Sequence, residues 1–236
     1  MQPQAAGELN SVALPRPGIR EVPGGSEGDL AAVLTAIGVA KQRATAIETL
    51  FKIAASEGLV FCMKGVAARL AVERWVTSLG GGFLLDAVVG MIDPEIVAET
   101  LGRKPAPSSI GILDANLSAL DMYARPLHDL IITRVSSGKE NVGVPKIVLS
   151  LTDSVGSLPF PKSFEHVSLV VNLDARTPLH PAEDLEELMA RVTDVEEGLL
   201  RTAYWRPAAD RLHAALGKLD IELRCMALSL LVESSS

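Results

Sequence analysis

Aromatic side chains are scarce, only 4% of the residues. That argues against the exposed ring platforms that stack single-stranded nucleic acid, and it leaves Leu, Val, Ile and Ala to build the core. Cysteine occurs twice, as Cys62 and Cys225. The two thiols give neither a disulfide framework nor a metal-ligand spacing, and both are expected as small core hydrophobes. His128, His166, His180 and His213 contain no i, i+4 pair, so no zinc site is expected. Dense Lys/Arg runs are absent and the net charge is −7 with a pI near 5.2. Direct binding to nucleic acid is therefore not expected. No apolar run reaches membrane-spanning length: the windows 59–63 and 82–92 are short and carry Lys64 or Asp86 close by. Residues 1–25 are polar, without a leader's apolar segment, so a cytoplasmic protein with no membrane span is the expectation. No serine lies in a G-x-S-x-G elbow, and Gly80-Gly81-Gly82 follows no strand and reads as a helix stop.

What is present is a large apolar fraction, 48% of 236 residues, enough for one substantial domain with a smaller appendage. The organising stretch is 108–120, SSIGILDANLSAL. Its apolar run 110–113 reads as a parallel strand covered on both faces, ending in Asp114 with Asn116 two residues on. An acid at the carboxyl end of such a strand stands where α/β sheets bind ligands. Either residue can instead cap the helix that follows.

Taken in order, residues 1–28 are rich in proline and read as an extended arm without regular structure. Asp29 caps a helix over 30–39, and a second helix spans 42–56. The run 59–63, LVFCM, is a strand leading through Lys64-Gly65 into a helix to about 79. A strand at 83–89 and a helix at 93–101 come before the organising strand. A long helix from 118 to 135 follows, then strands 146–151 and 166–173. Alternating strands and helices argue for a three-layer parallel α/β sheet over 29–175. Helices alone follow over 176–236, as an all-helical lid subdomain.

The element order and four local segments resemble the AAA+ ATPase module of the P-loop NTPase fold, in its MoxR- and McrB-like flavour. The resemblance covers about 42–231. Ile112-Leu113-Asp114-Ala115-Asn116 resembles the magnesium-binding strand, and 149–153, LSLTD, resembles the first sensor with Thr152 or Asp153 in the polar place. The segment 156–161, GSLPFP, resembles the proline loop before the fifth strand. The segment 205–216, WRPAADRLHAAL, resembles the lid helix, which would make Arg206 the second sensor. DANLSAL also resembles the magnesium strand of RecA- and KaiC-like cores; the helical tail favours AAA+. If nucleotide binds, the resemblance implies contact through Lys64, Gly65, Asp114, Asn116, Thr152 and Arg206, with ATP or ADP and magnesium as cofactors.

The chain departs from that pattern where the chemistry is done. A phosphate loop needs G-x-x-x-x-G-K-[ST]. Here KGVAARLA follows the strand, with Ala67 and Ala68 where lysine and the hydroxyl belong. Ala115 stands at the catalytic glutamate's place, and Glu165-His166 stand near the expected arginine finger. Phosphoryl transfer depends on charge neutralisation, so each loss lowers the rate steeply. Lys64 or Arg69 could serve as a displaced phosphate binder. The expectation is a non-hydrolysing AAA+-like subunit without catalytic residues, cofactor or metal, working with protein partners in a homo- or hetero-oligomer. The alternatives are a nucleotide-binding P-loop ATPase with an unusual loop, and a binding module of a secretion, phage or DNA-processing assembly.

Overall fold

Most strands of this chain are apolar at successive positions, so they offer apolar side chains to both sides of a sheet. In the computed structural model, which describes residues 18–23, 28–137, 145–165, 167–174 and 213–232, the strands do face two cores. Phe61 and Met63 enter one, while Val60 and Cys62 enter the other. Likewise Leu113 points to the first, and Ile110 and Ile112 to the second.

The elements are β1 (Ile19–Val22), α1 (Leu30–Ala36), α2 (Lys41–Ser56), β2 (Val60–Lys64), α3 (Ala68–Leu79), β3 (Gly82–Asp86) and α4 (Glu95–Gly102). Then come β4 (Ser109–Leu113), a 3-10 turn (Ala115–Leu117), α5 (Leu120–Tyr123), α6 (Arg125–Ser137), β5 (Lys146–Leu151), α7 (Lys162–Glu165), β6 (Ser168–Asn172) and α8 (Ile221–Val232). The sheet has six strands in the order β1-β3-β4-β5-β2-β6. All neighbours run parallel except β1, which pairs antiparallel with β3 at the edge. The registers Ile112↔Leu149 and Cys62↔Leu149 align β4 and β2 on either side of β5.

Helices α1, α2, α3 and α8 contribute to the first core, and α4 to α7 to the second, giving a three-layer α/β architecture. Helix α3 buries Ala68, Ala71, Val72, Trp75 and Val76, the i, i+3, i+4, i+7, i+8 stripe of an amphipathic helix. Trp75 meets Phe51 edge-on at 4.6 Å, and Phe51 meets Phe61 at 5.5 Å, which ties α3 and α2 to β2. Under α3, β4 carries Gly111. A Cβ there would lie 2.8 Å from Leu84 Cδ2 and 2.9 Å from Val76 Cγ2, so only glycine lets the helix sit this close.

Several local expectations shift. Asp29 accepts the Ala31 N–H at 2.8 Å and caps α1, as its position implies. The long helix expected over 118–135 is broken. Ser118 is extended, and α6 begins afresh at Arg125 with Pro126 in its first turn, where a missing N–H is harmless. Residues 19–22, expected as part of an irregular arm, form β1. Val22 is buried against the first core, and Arg20 reaches Glu73 on α3 at 2.8 Å. Of the expected lid, only 213–232 is described, and α8 packs on α2 and β6 with Ala227 and Leu228 fully buried. Arg206 and the remainder of 175–212 lie outside the described residues. Among the described residues no helix is long and apolar enough to cross a membrane.

Candidate functional site

Five parallel strands end on the same edge of the sheet, so the residues just after adjacent strands in the order β3-β4-β5-β2-β6 are neighbours whatever their sequence separation. This is the edge on which open α/β sheets carry their ligands. It gathers Lys64 and Gly65 from β2, Asp86 from β3, Asp114 and Asn116 from β4, Thr152 and Asp153 from β5, and Asp174 after β6.

Asp114 sits in the left-handed region, φ 50° and ψ 46°, a conformation that few residues other than glycine and asparagine or aspartate adopt. Its backbone N–H donates to Ser150 Oγ on β5 at 2.7 Å, which holds the turn against the neighbouring strand. Its side chain caps nothing. Instead Arg69, in the first turn of α3, bridges two carboxylates, with Nη1 on Asp114 and Nη2 on Asp86. Burial tends to lower the Arg69 pKa, but the Asp114 and Asp86 carboxylates outweigh it, and the guanidinium is held above its ordinary range. The cation between these two strand ends is thus supplied by the chain itself. Capping, one of the expectations for Asp114, is corrected by this pairing.

Asn116 does not cap a helix either. Its Nδ2 donates to Thr152 O at 2.8 Å and to Leu158 O at 3.2 Å, while its Oδ1 accepts from Thr152 N–H at 2.8 Å. The Leu158 N–H closes the ring onto Asn116 O at 2.7 Å. The side chain is consumed in clamping the loop after β5 to the turn after β4. Thr152 shares that clamp through its backbone, and its Oγ1 accepts the Ser154 N–H at 3.2 Å. Ser118 Oγ donates to Met91 O at 2.6 Å and fastens the loop after β3 to the same turn.

At β2 the strand runs into Gly65, whose φ of 120° few side chains tolerate. The β2–β6 ladder continues one step past the strand, Leu173 N–H donating to Lys64 O at 2.8 Å. That register carries Asp174 beside Gly65. Its Oδ2 accepts the Val66 N–H at 2.8 Å, and its carboxylate oxygens would stand 2.8 and 3.1 Å from any Cβ at residue 65. Asn172 Oδ1 accepts the Asp174 N–H at 3.0 Å and orients the turn. An acidic side chain of the same chain therefore occupies the N–H that a bound anion would seek. Lys64 Nζ lies 3.5 Å from Asp153 Oδ1, so the lysine at the strand end is also paired.

The structure thus brings together Lys64, Gly65, Asp114, Asn116 and Thr152 on one edge, and adds three residues that the strand-end motifs alone did not assign: Asp86, Ser150 and Asp174. Asp174 was signalled by an acid directly after an apolar strand, the same signal that picked out Asp114. Across the segments 64–70, 86–95, 114–125 and 152–158 together with Asp174, seven carboxylates stand against three cations, a formal balance of −4. Among the described residues no group of three or more His, Cys, Asp or Glu is arranged to hold a metal ion. No protein-family model matches this sequence, and comparison with curated proteins and with solved structures finds no match.

Proposed function

We propose that this chain is a non-hydrolysing, AAA+-like subunit that serves a larger assembly as a structural or regulatory component through protein contacts. The observation that carries the reading is internal pairing at the strand ends. Arg69 sits between Asp86 and Asp114, and Asp174 takes the Val66 N–H. Where a nucleotide site would present an open N–H cradle and a carboxylate free for magnesium, both functions are met from within. The framework half of the reading is supported by three parallel strands lying side by side, β4, β5 and β2, with the acid-bearing strand one removed from the glycine-bearing one. The negative balance of the edge further disfavours a polyphosphate.

A second reading is a nucleotide-binding ATPase of P-loop type, AAA+ or RecA-like, taking ATP or ADP with magnesium. Gly65 at positive φ directly after a buried strand, with Lys64 beside it, is what favours it. A thermal-shift series with magnesium and ATP or ADP separates the two. Ligand at one hundred times its Kd would stabilise the fold by about 2.7 kcal/mol, a rise of about 5–10 °C for a chain of this size. The expected outcome is no shift at millimolar nucleotide, and a concentration-dependent rise would transfer the assignment to the second reading.

A further inference from the structure

We infer that the carboxyl edge of the sheet is a docking surface for a cationic amphipathic segment of another protein, one presenting apolar side chains flanked by Lys or Arg. The inference rests on the reading of the chain as a protein-interaction subunit and names the surface and the partner's chemistry. Among the described residues, every exposed large apolar side chain belongs to a segment that follows a strand on this one edge. Val66 (95% exposed) and Leu70 follow β2, and Val89 and Ile92 follow β3. Met122 follows β4, while Val155, fully exposed, and Leu158 follow β5. Singly exposed apolar residues are ordinary on a protein surface; their restriction to one side is not.

These loops are also fastened to one another. Asn116 clamps the loop carrying Val155 and Leu158, Ser118 holds the loop of Val89 and Ile92, and Asp174 anchors Val66. A pre-ordered surface loses little conformational freedom on binding. Charge defines the partner's sign. Asp93, Glu95, Asp121, Asp153 and Asp174 are exposed on the same strand-end segments, Asp153 beside Lys64 and Asp174 on the Val66 N–H. Of the three cations on the edge, Arg69 and Lys64 already have carboxylate partners. An acidic rim around apolar anchors complements a basic amphipathic face, which it attracts and orients.

The test uses the full chain in isothermal titration with a synthetic helix-forming peptide of Leu and Lys, its leucines at i, i+3, i+4 and i+7. Two comparison peptides are its Leu/Glu counterpart and a peptide of the same composition with the leucines scattered around the helix. The Leu/Lys amphipathic peptide is expected to bind at least tenfold more tightly than either, and more weakly as salt is raised. The double variant Val66→Ser, Val155→Ser should keep the wild-type melting temperature, since both positions are exposed, and weaken binding at least fivefold. Equal binding of the comparison peptides, an unaffected double variant, or no binding overturns the inference. So does concentration-dependent self-association that the double variant abolishes, which would make the edge an interface between copies. Saturable Mg-ATP binding that displaces the peptide would defeat the proposed function itself. Absence of both peptide and nucleotide binding would defeat the docking surface alone.

Discussion

Arg69 ties the ends of two strands together with one side chain, which bridges Asp86 and Asp114. Its side chain is 44% exposed, so each of its ion pairs contributes modestly to stability, but it fixes the charges of two strand ends at once. Replacing it in Arg69→Met should lower stability by about 1 kcal/mol near neutral pH. The deficit is read by urea unfolding at about pH 7.5, and a variant as stable as the wild type would contradict the pairing. Asn116 is the sterner structural case. It is 7% exposed, and Asn116→Ala would strand the Thr152 and Leu158 backbone groups it now satisfies. We expect a loss of about 2–4 kcal/mol in denaturant unfolding, given roughly 1–3 kcal/mol for each buried group left unpaired. Cys62 is buried and its thiol is pushed up to about 12 by desolvation, and burial also raises Cys225. Neither should react with an aromatic disulfide reagent at neutral pH until the protein is unfolded, when both should.

At the scale of elements, the decisive contact is α3 on β4. Gly111 lets Val72 and Val76 rest against the strand, and the same seating delivers Arg69 to the ends of β3 and β4. Gly111→Val should push the helix away and lower the melting temperature by about 5–10 °C, corresponding to roughly 2–3 kcal/mol of overpacking. A neutral effect in calorimetry would show that the helix has room to spare. The central strands were legible because a strand covered on both faces leaves an unbroken apolar run, as LVFCM and KIVLSL do. β1 was not, because IREV is four residues long with two charges, and its strand character comes from pairing with β3. The break before α6 has a signal in Pro126, which suits the first turn of a helix and not its interior. Asp114 announced itself at a strand end, but its partner did not. Arg69 is 45 residues away, and only the neighbouring positions of β3 and β4 bring Asp86 and Asp114 to one guanidinium. The sequence leaves cap and ligand contact both open for Asn116, because a loop clamp and a helix cap use the same amide; only the geometry tells them apart.

At the scale of the molecule, the loops that follow the five parallel strands share one edge among the described residues, and the chain pairs Lys64, Arg69, Asn116 and Asp174 there internally. Cation, anion and amide each find a partner in the same fold, while valines and leucines are left facing outward near exposed carboxylates. Under the function proposed above, this is the framework of a subunit that is held by others and turns over no substrate of its own. The measurement that bears most directly on this is an NMR titration following the Val66 backbone N–H and the Arg69 side-chain Nε–H as Mg-ATP is raised to millimolar concentration. With Asp174 and the two strand-end aspartates already in place, neither resonance should move in a saturable way. A saturable shift of both, at a concentration where ATP occupies the edge, would show that the internal pairs yield to nucleotide and would contradict the account.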